Sequence, residues 1–299
     1  MNKLQIFAAP DNMTGVAQID TAVREIDFVT SFAKDFQALL DIMGISRMIE
    51  KQNGTALKVR TASGTLQSGA VDEGDEIPLS QYEVDETVFD SITLAKYRKA
   101  VSAEAIAEKG YDAAIEATDE EFKNDLRDVV MDKFYTQLAA GTLTGTYSTF
   151  QMAVSMAIGK VKNKFKTIHR SVTGVAVFVN TLDLYEYLGG ANITIQTAFG
   201  MDYVENFLGA DIVFISSEID SGKVYATPLN NLVCYYINPA NSEFAQAGLA
   251  YTVDANVPLV GFHTEGNYTR ALSECFALMG VRLFAEYLDG IAKITVNPQ

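Results

Sequence analysis

Apolar residues recur at three- and four-residue steps from Val23 through Ile26, Val29, Ala33, Phe36 and Leu40 to Met43. That period predicts an amphipathic helix, with Asp20 as its cap and Gly44 as its stop. The stripe is wide, so the helix is expected to lie against a sheet or a second helix. Residues 1–19 before it show no period. They read either as a free tail or as an arm packed on a neighbouring subunit.

The period changes to two beyond residue 54. Leu57, Val59 and Thr61 alternate with Lys58, Arg60 and Ala62, and Tyr82, Val84, Glu86 and Val88 resume the pattern, followed by Ile92, Leu94 and Lys96. The glycine-rich, acidic segment SGTLQSGAVDEGDEIP lies between them. Two strands with a long polar tip predict a protruding β-hairpin over 54–95. Eight acids and no base fall between Asp72 and Asp90, a run expected to have no partner inside the hairpin. It reads as a solvated loop or as a surface that docks on a basic patch. Lys160, Lys162, Lys164, Lys166 and Arg170, in a stretch without an acid, form such a patch, which could equally face DNA or solvent.

Helical spacing returns over 119–139. Phe122, Leu126, Val129, Val130, Phe134 and Leu138 line one side and Lys123, Asp125, Asp128 and Asp132 the other. Thr118 and Glu121 have capping-box spacing. The helix is about 30 Å long at the usual rise per residue. Gly141 and Gly145 mark a change of unit, after which Ser148 with Gln151 can cap a helix through Phe165. Short elements then alternate: a strand at 175–179, a helix from Asn180 to Gly189, a helix at 203–208, and strands at 212–215, 224–226 and 232–237. A compact α/β lobe is therefore expected over 146–262. The tail from Leu272 reads as strands around an Asp289-Gly290 turn more readily than as a helix.

Charge narrows the function. The 299 residues carry 38 acids against 23 bases, a formal charge of -15, so a primary nucleic-acid-binding role is not expected. No signal peptide or long uncharged apolar run is present, which excludes a membrane-spanning helix and places synthesis in a cytoplasm. The chemistry is sparse. His169 and His263 lack companion ligands, Cys234 sits in the apolar run LVCYYI, and Glu274 beside Cys275 disfavours a thiolate. GTLTGT at 141–146 lacks the ending of a phosphate loop. No active site, metal or cofactor is expected. Arms, hairpins and open strand edges are instead features that another chain normally covers.

In their order and spacing these segments resemble the major capsid protein of tailed bacteriophages, the Hong Kong 97-type fold. SITLAKYRKAVSAEAIAEKG at 91–110 resembles the family's return strand and helical entry to the peripheral domain, and DEEFKNDLRDVVMDKFYTQLAAGT at 119–142 its spine helix. AVFVNTLDLYEYLGG at 176–190 and LGADIVFISSEIDSGKVYATPLNNLV at 208–233 resemble elements of its axial domain. The resemblance implies an α+β chain divided into an N-terminal arm (1–19), first helix and peripheral entry (20–53), extended hairpin or E-loop (54–95), peripheral domain with the spine helix (96–145), axial domain (146–262) and a return to the peripheral domain (263–299). It also implies a virion protein without enzymatic activity. Its hexamers and pentamers would form an icosahedral shell around double-stranded DNA, bound without sequence preference.

Carried onto this chain, Asp72, Glu73, Asp75 and Glu76 would make an intersubunit or shell-surface contact, and Phe122, Leu126, Val130 and Phe134 would pack the spine helix on the peripheral sheet. Some members weld subunits through an E-loop lysine. No lysine occurs between Lys58 and Lys96, so no such cross-link is expected from the tip. The short segment before the first helix implies either a separate scaffolding protein or an already processed chain, and the initiating Met1 favours the first; a portal is a further assembly partner that the resemblance implies. A tail-tube or decoration subunit, or an α/β enzyme with a dispersed site, are the alternative readings.

Overall fold

The computed structural model describes residues 16–45, 47–189 and 194–297; most of the expected arm, residues 1–15, lies outside them. The chain begins with helix α1 (Val16–Ile42). It starts a turn earlier than expected, so Asp20 lies within the helix and is not its cap; Ala17 and Gln18 favour helix and nothing there breaks it. Gly44 ends it in the left-handed region at φ +62°. Gly44 N–H donates to the carbonyl of Asp41 and Ile45 N–H to that of Leu40, the paired closure that suits a glycine. Val29, Phe36, Leu40 and Met43 are buried as expected, whereas Val23 and Ile26 are exposed.

Next come β1 (Met48–Glu50), the hairpin strands β2 (Ala56–Thr65) and β3 (Gln81–Ser91), β4 (Ala95–Ser102) and α2 (Ala103–Lys109). A π-helical turn at Asp112–Glu116 runs straight into α3 (Ala117–Ala139). The expected capping box is therefore not formed. The backbone is already helical at Glu116, and the Thr118 hydroxyl donates to the carbonyls of Ala114 and Ile115. Lys123, expected on the wet face, is buried, its Nζ 2.9 Å from Ser31 Oγ and 2.8 Å from Glu120.

The rest of the chain runs β5 (Leu143–Tyr147), α4 (Phe150–Thr167), β6 (Val175–Asn180), α5 (Thr181–Leu188), β7 (Gln196–Ala198), β8 (Met201–Phe207), β9 (Ala210–Ser216), β10 (Lys223–Pro228), β11 (Leu232–Ile237), α6 (Ser242–Gln246), β12 (Val260–Asn267), β13 (Leu272–Ala285) and β14 (Ala292–Val296). Thr149, one residue past the expected Ser148, caps α4 by accepting from Met152 N–H. The segment 203–208 is not helix: residues 203–207 are strand and Leu208 enters the turn that follows. Leu208 and Gly209 both take positive φ, the requirement of a tight hairpin turn, and that turn pairs β8 antiparallel with β9.

Two sheets carry the body. The larger has the order β5-β14-β10-β6-β9-β8-β7; the other runs β1-β11-β13-β12, with β4 paired along β13. Membership does not follow the expected 146–262 boundary. Leu232–Ile237 lies in the five-stranded sheet, and both Leu143–Tyr147 and Ala292–Val296 lie in the seven-stranded one. Local pattern specifies a strand but not the sheet it joins, and the short turn Leu229–Asn231 carries the chain across. α3 ties the two together. Phe134 meets Phe178 of β6 edge-on at 5.4 Å, and the buried Gln137 amide donates to Ala285 O and accepts from Ala285 N–H on β13.

α4 ends on a residue with unfavourable backbone. His169 is left-handed at φ +56°, where its N–H donates to Lys166 O and Arg170 N–H to Phe165 O. This is the glycine position of a helix closure, and a non-glycine residue there costs about 1 kcal/mol. His169→Gly should therefore raise the melting temperature by about 2–4 °C, measured by circular dichroism; an unchanged or lower value would refute the strain argument.

Candidate assembly surfaces

The hairpin is the least supported element. β2 and β3 pair only with each other, from Ala56↔Ser91 to Thr65↔Gln81, with a register shift near Ala56. Beyond its root, β3 is exposed on both faces. One face carries Tyr82, Val84 and Val88, each more than half exposed. Tyr82 lies across Gly64, where a Cβ would come within 2.3 Å of the ring and 2.5 Å of Gln81 O. The expectation that the acids lack a partner inside the hairpin is corrected at Glu86. It pairs with Lys58 at 2.7 Å and Arg60 at 2.9 Å across the strands, and both cations hold its carboxyl below the usual range. Asp72, Glu73, Asp75 and Glu76 at the tip are exposed and have no ion pair among the described residues. Nearby Leu66, Ile77 and Leu79 are 78%, 69% and 91% exposed. A two-stranded hairpin of this kind is marginal in water by itself.

The basic stretch occupies α4 and its exit. Lys162 and Lys166 are exposed and Lys160 half-buried. Lys164 is already paired with Asp289 at 2.7 Å, and Arg170 lies over the Tyr287 ring at 4.5 Å. Its free positive charge is thus smaller than the sequence count. Along α3, Leu126, Val130 and Phe134 are buried and Phe122 is half-buried. Phe122 reaches Phe262 of β12, but Phe134, expected on that same sheet, packs on β6 because the helix crosses both sheets.

An acidic corner flanks α3. Partial desolvation, reinforced by the charge of Asp132, raises the exposed Glu218 carboxyl; partial desolvation also raises Asp128 against the opposing charge of Arg127, with Asp125 and Asp132 adding to it. A carboxyl whose folded value is raised binds its proton more tightly in the folded chain. Stability then falls as pH climbs from the ordinary glutamate value through the raised one. Glu218→Gln should melt higher than the parent at pH 7 and show no advantage near pH 4; equal melting at both pH values would rule out the repulsion.

The remaining reactive groups are structural in setting. Cys234 is fully buried, which pushes its thiol up to about 12. Burial also raises Cys275, followed by the charge of Asp119. Glu274, expected to be the cause, is turned toward Arg98 and Asn267. His263 Nδ1 lies 3.5 Å from the buried Glu25. Among the described residues no group of three His, Cys, Asp or Glu could hold a metal, and no helix is long and apolar enough to cross a membrane.

No protein-family model matches the chain, and no curated protein matches its sequence. Solved structures do match. A chain of Gordonia phage Cozz aligns with a TM-score of 0.57 at 11% identity, covering 86% of this chain and 86% of that one. A chain of the cyanophage A-1(L) capsid asymmetric unit aligns at 0.55 and 12% identity over 87% and 92%. One from the mature capsid of bacteriophage PhiM1 aligns at 0.53 and 10% identity over 86% and 87%. At such identities the likeness is one of fold. The fold is a phage-capsid one, of the Hong Kong 97 type that the sequence resembles.

Proposed function

We propose that this chain is a structural, non-enzymatic shell subunit of a virion. In this reading it is a major capsid protein whose hexamers and pentamers enclose double-stranded DNA, assembled with a separate scaffolding protein and a portal. The observation that carries it is the β2–β3 hairpin, which exposes apolar side chains on a fold shared with phage capsid chains. The hairpin acts as the E-loop and α3 as the spine helix. The tip acids Asp72, Glu73, Asp75 and Glu76 and the α4 cations Lys160, Lys162, Lys166 and Arg170 are intersubunit contacts, while Lys164 serves its own subunit through Asp289. Surface charges of this kind direct docking more than they strengthen it.

The test is the assembly state. The chain is expressed alone and with the scaffolding protein of its own virus, then followed by multi-angle light scattering and negative-stain imaging. Rings of five or six, or closed shells, are expected. A monodisperse monomer under both conditions and at all ionic strengths would overturn the reading.

A further inference from the structure

The chain's single Asn-Gly pair, Asn53-Gly54, sits in the turn between β1 and β2, at the root of the hairpin. In such a pair the Gly54 backbone nitrogen can attack the Asn53 side-chain amide, because glycine has no Cβ to block the approach. Two long-range hydrogen bonds meet here. Gly54 N–H donates to Ile92 O at 2.8 Å, which holds the nucleophile's proton on a fixed acceptor. Leu94 N–H donates to Asn53 Oδ1 at 3.1 Å, which draws electron density from the amide carbon, the electrophile. Thr55 N–H closes the turn on Gln52 O at 3.1 Å, and Gly54 takes φ +83°, the left-handed turn position that glycine suits. Asn53 is exposed and lines a cavity of about 740 Å³ with Glu50, Lys51 and Glu243, so its amide is open to water.

We infer that Asn53 is a modification site whose conversion is gated by the hairpin root. When the Gly54 N–H leaves Ile92 O, the nitrogen gives its proton to a solvent base and attacks Asn53 Cγ. The new C–N bond closes a succinimide ring, and the side-chain nitrogen takes a proton from water and departs as ammonia. Water then opens the ring at either carbonyl, giving aspartate or isoaspartate, with nothing oxidised or reduced. Each product sets a carboxylate beside the cavity that Glu50 and Glu243 already line, and isoaspartate adds a methylene to the main chain between β1 and β2. That extra atom falls at the joint that aims the hairpin, whose strands pair only with each other, so the modification redirects the whole arm. The gate is local. Ile92 is buried, its N–H donates to Thr55 O at 3.0 Å, and Phe89, edge-on to Phe284 at 4.8 Å, holds the base of β3 to the body. The inference goes beyond the shell-subunit reading and does not depend on it.

The experiment ages the full chain at mildly alkaline pH and follows Asn53 by peptide mapping, with an isoaspartyl methyltransferase to count the isoaspartate. A synthetic peptide of residues 48–58 is the unrestrained reference. Asn53 in the chain should convert about tenfold more slowly than in the peptide, the order of effect of one retained hydrogen bond. Phe89→Ala loosens the root without touching the turn and should recover most of that factor at Asn53, while the buried Asn231 stays unmodified. Equal rates in chain and peptide would overturn the inference. So would a Phe89→Ala chain that keeps Asn231 intact and converts Asn53 no faster than the parent. If Asn231 converts too, the variant has unfolded, and the milder Ile92→Val decides by the same two readouts. The aged chain should also exchange its Leu94 amide proton faster than the parent, because the acceptor on Asn53 has been rebuilt; unchanged exchange there would overturn the redirection of the arm.

Discussion

Phe134→Ala should melt about 10 °C below the parent chain. The side chain is completely buried, its ring edge-on to Phe178, and Phe178 is in turn stacked on Phe214 at 5.0 Å. Removing a buried phenylalanine costs about 3–5 kcal/mol, the lost transfer energy plus the cavity left behind. For a chain of this size each kcal/mol lowers the melting temperature by about 2–4 °C. The cavity cannot close cheaply, because its walls belong to α3 and β6 and a shift of either disturbs the other sheet. Phe134→Leu keeps most of the volume and should cost roughly 1–2 kcal/mol. Phe122→Ala is a useful contrast, since Phe122 is half-buried on the same helix and should lose less than Phe134→Ala. Calorimetry of the three variants settles the ranking. If Phe134→Ala melts with Phe122→Ala, α3 is not the element that holds the two sheets together.

What could be read in advance divides along physical lines. The hairpin was legible because a two-residue period broken by a glycine-rich acidic stretch has few other solutions. α3 was legible because its apolar period runs unbroken for six turns. Residues 203–208 were misread because YVENFL satisfies a helix locally, and only pairing with β9 decides for strand. Lys123 looked like a surface residue by its charge. Its burial depends on Ser31, 92 positions earlier, and no window of sequence contains that partner. The candidate surfaces follow the same rule. The tip acids form one visible run, whereas the hairpin root closes on Ile92 O and Leu94 N–H, backbone groups that no side-chain pattern marks. The basic run was visible but overcounted, because Asp289 already answers Lys164.

The largest electrostatic effect is expected at Asp119, which ties α1, β4 and α3 at one point. Its carboxylate accepts from Arg24 Nε at 2.5 Å and Nη2 at 2.8 Å, and from Lys99 Nζ at 2.5 Å. The three side chains are between 13% and 17% exposed. Asp119→Ala strands two cations in a largely dry site and should cost about 3 kcal/mol, because an uncompensated buried charge loses far more than a surface pair does. Asp119→Asn keeps an acceptor but not the charge and should fall between. Cysteine chemistry separates this from a general loosening of the fold. Burial raises the Cys275 thiol most and Asp119 raises it further, while Lys99 and Arg24 lower it, so removing the aspartate leaves the cations opposed by burial alone and the thiol becomes more acidic. Cys234 is raised by burial alone and serves as the internal control. Alkylation followed by mass spectrometry should show Cys275 reacting faster in Asp119→Ala while Cys234 stays inert. Equal acceleration at both cysteines would mean that the variant merely unfolds more often, and an unchanged melting temperature would mean that the ion cluster does not hold α1 to the body.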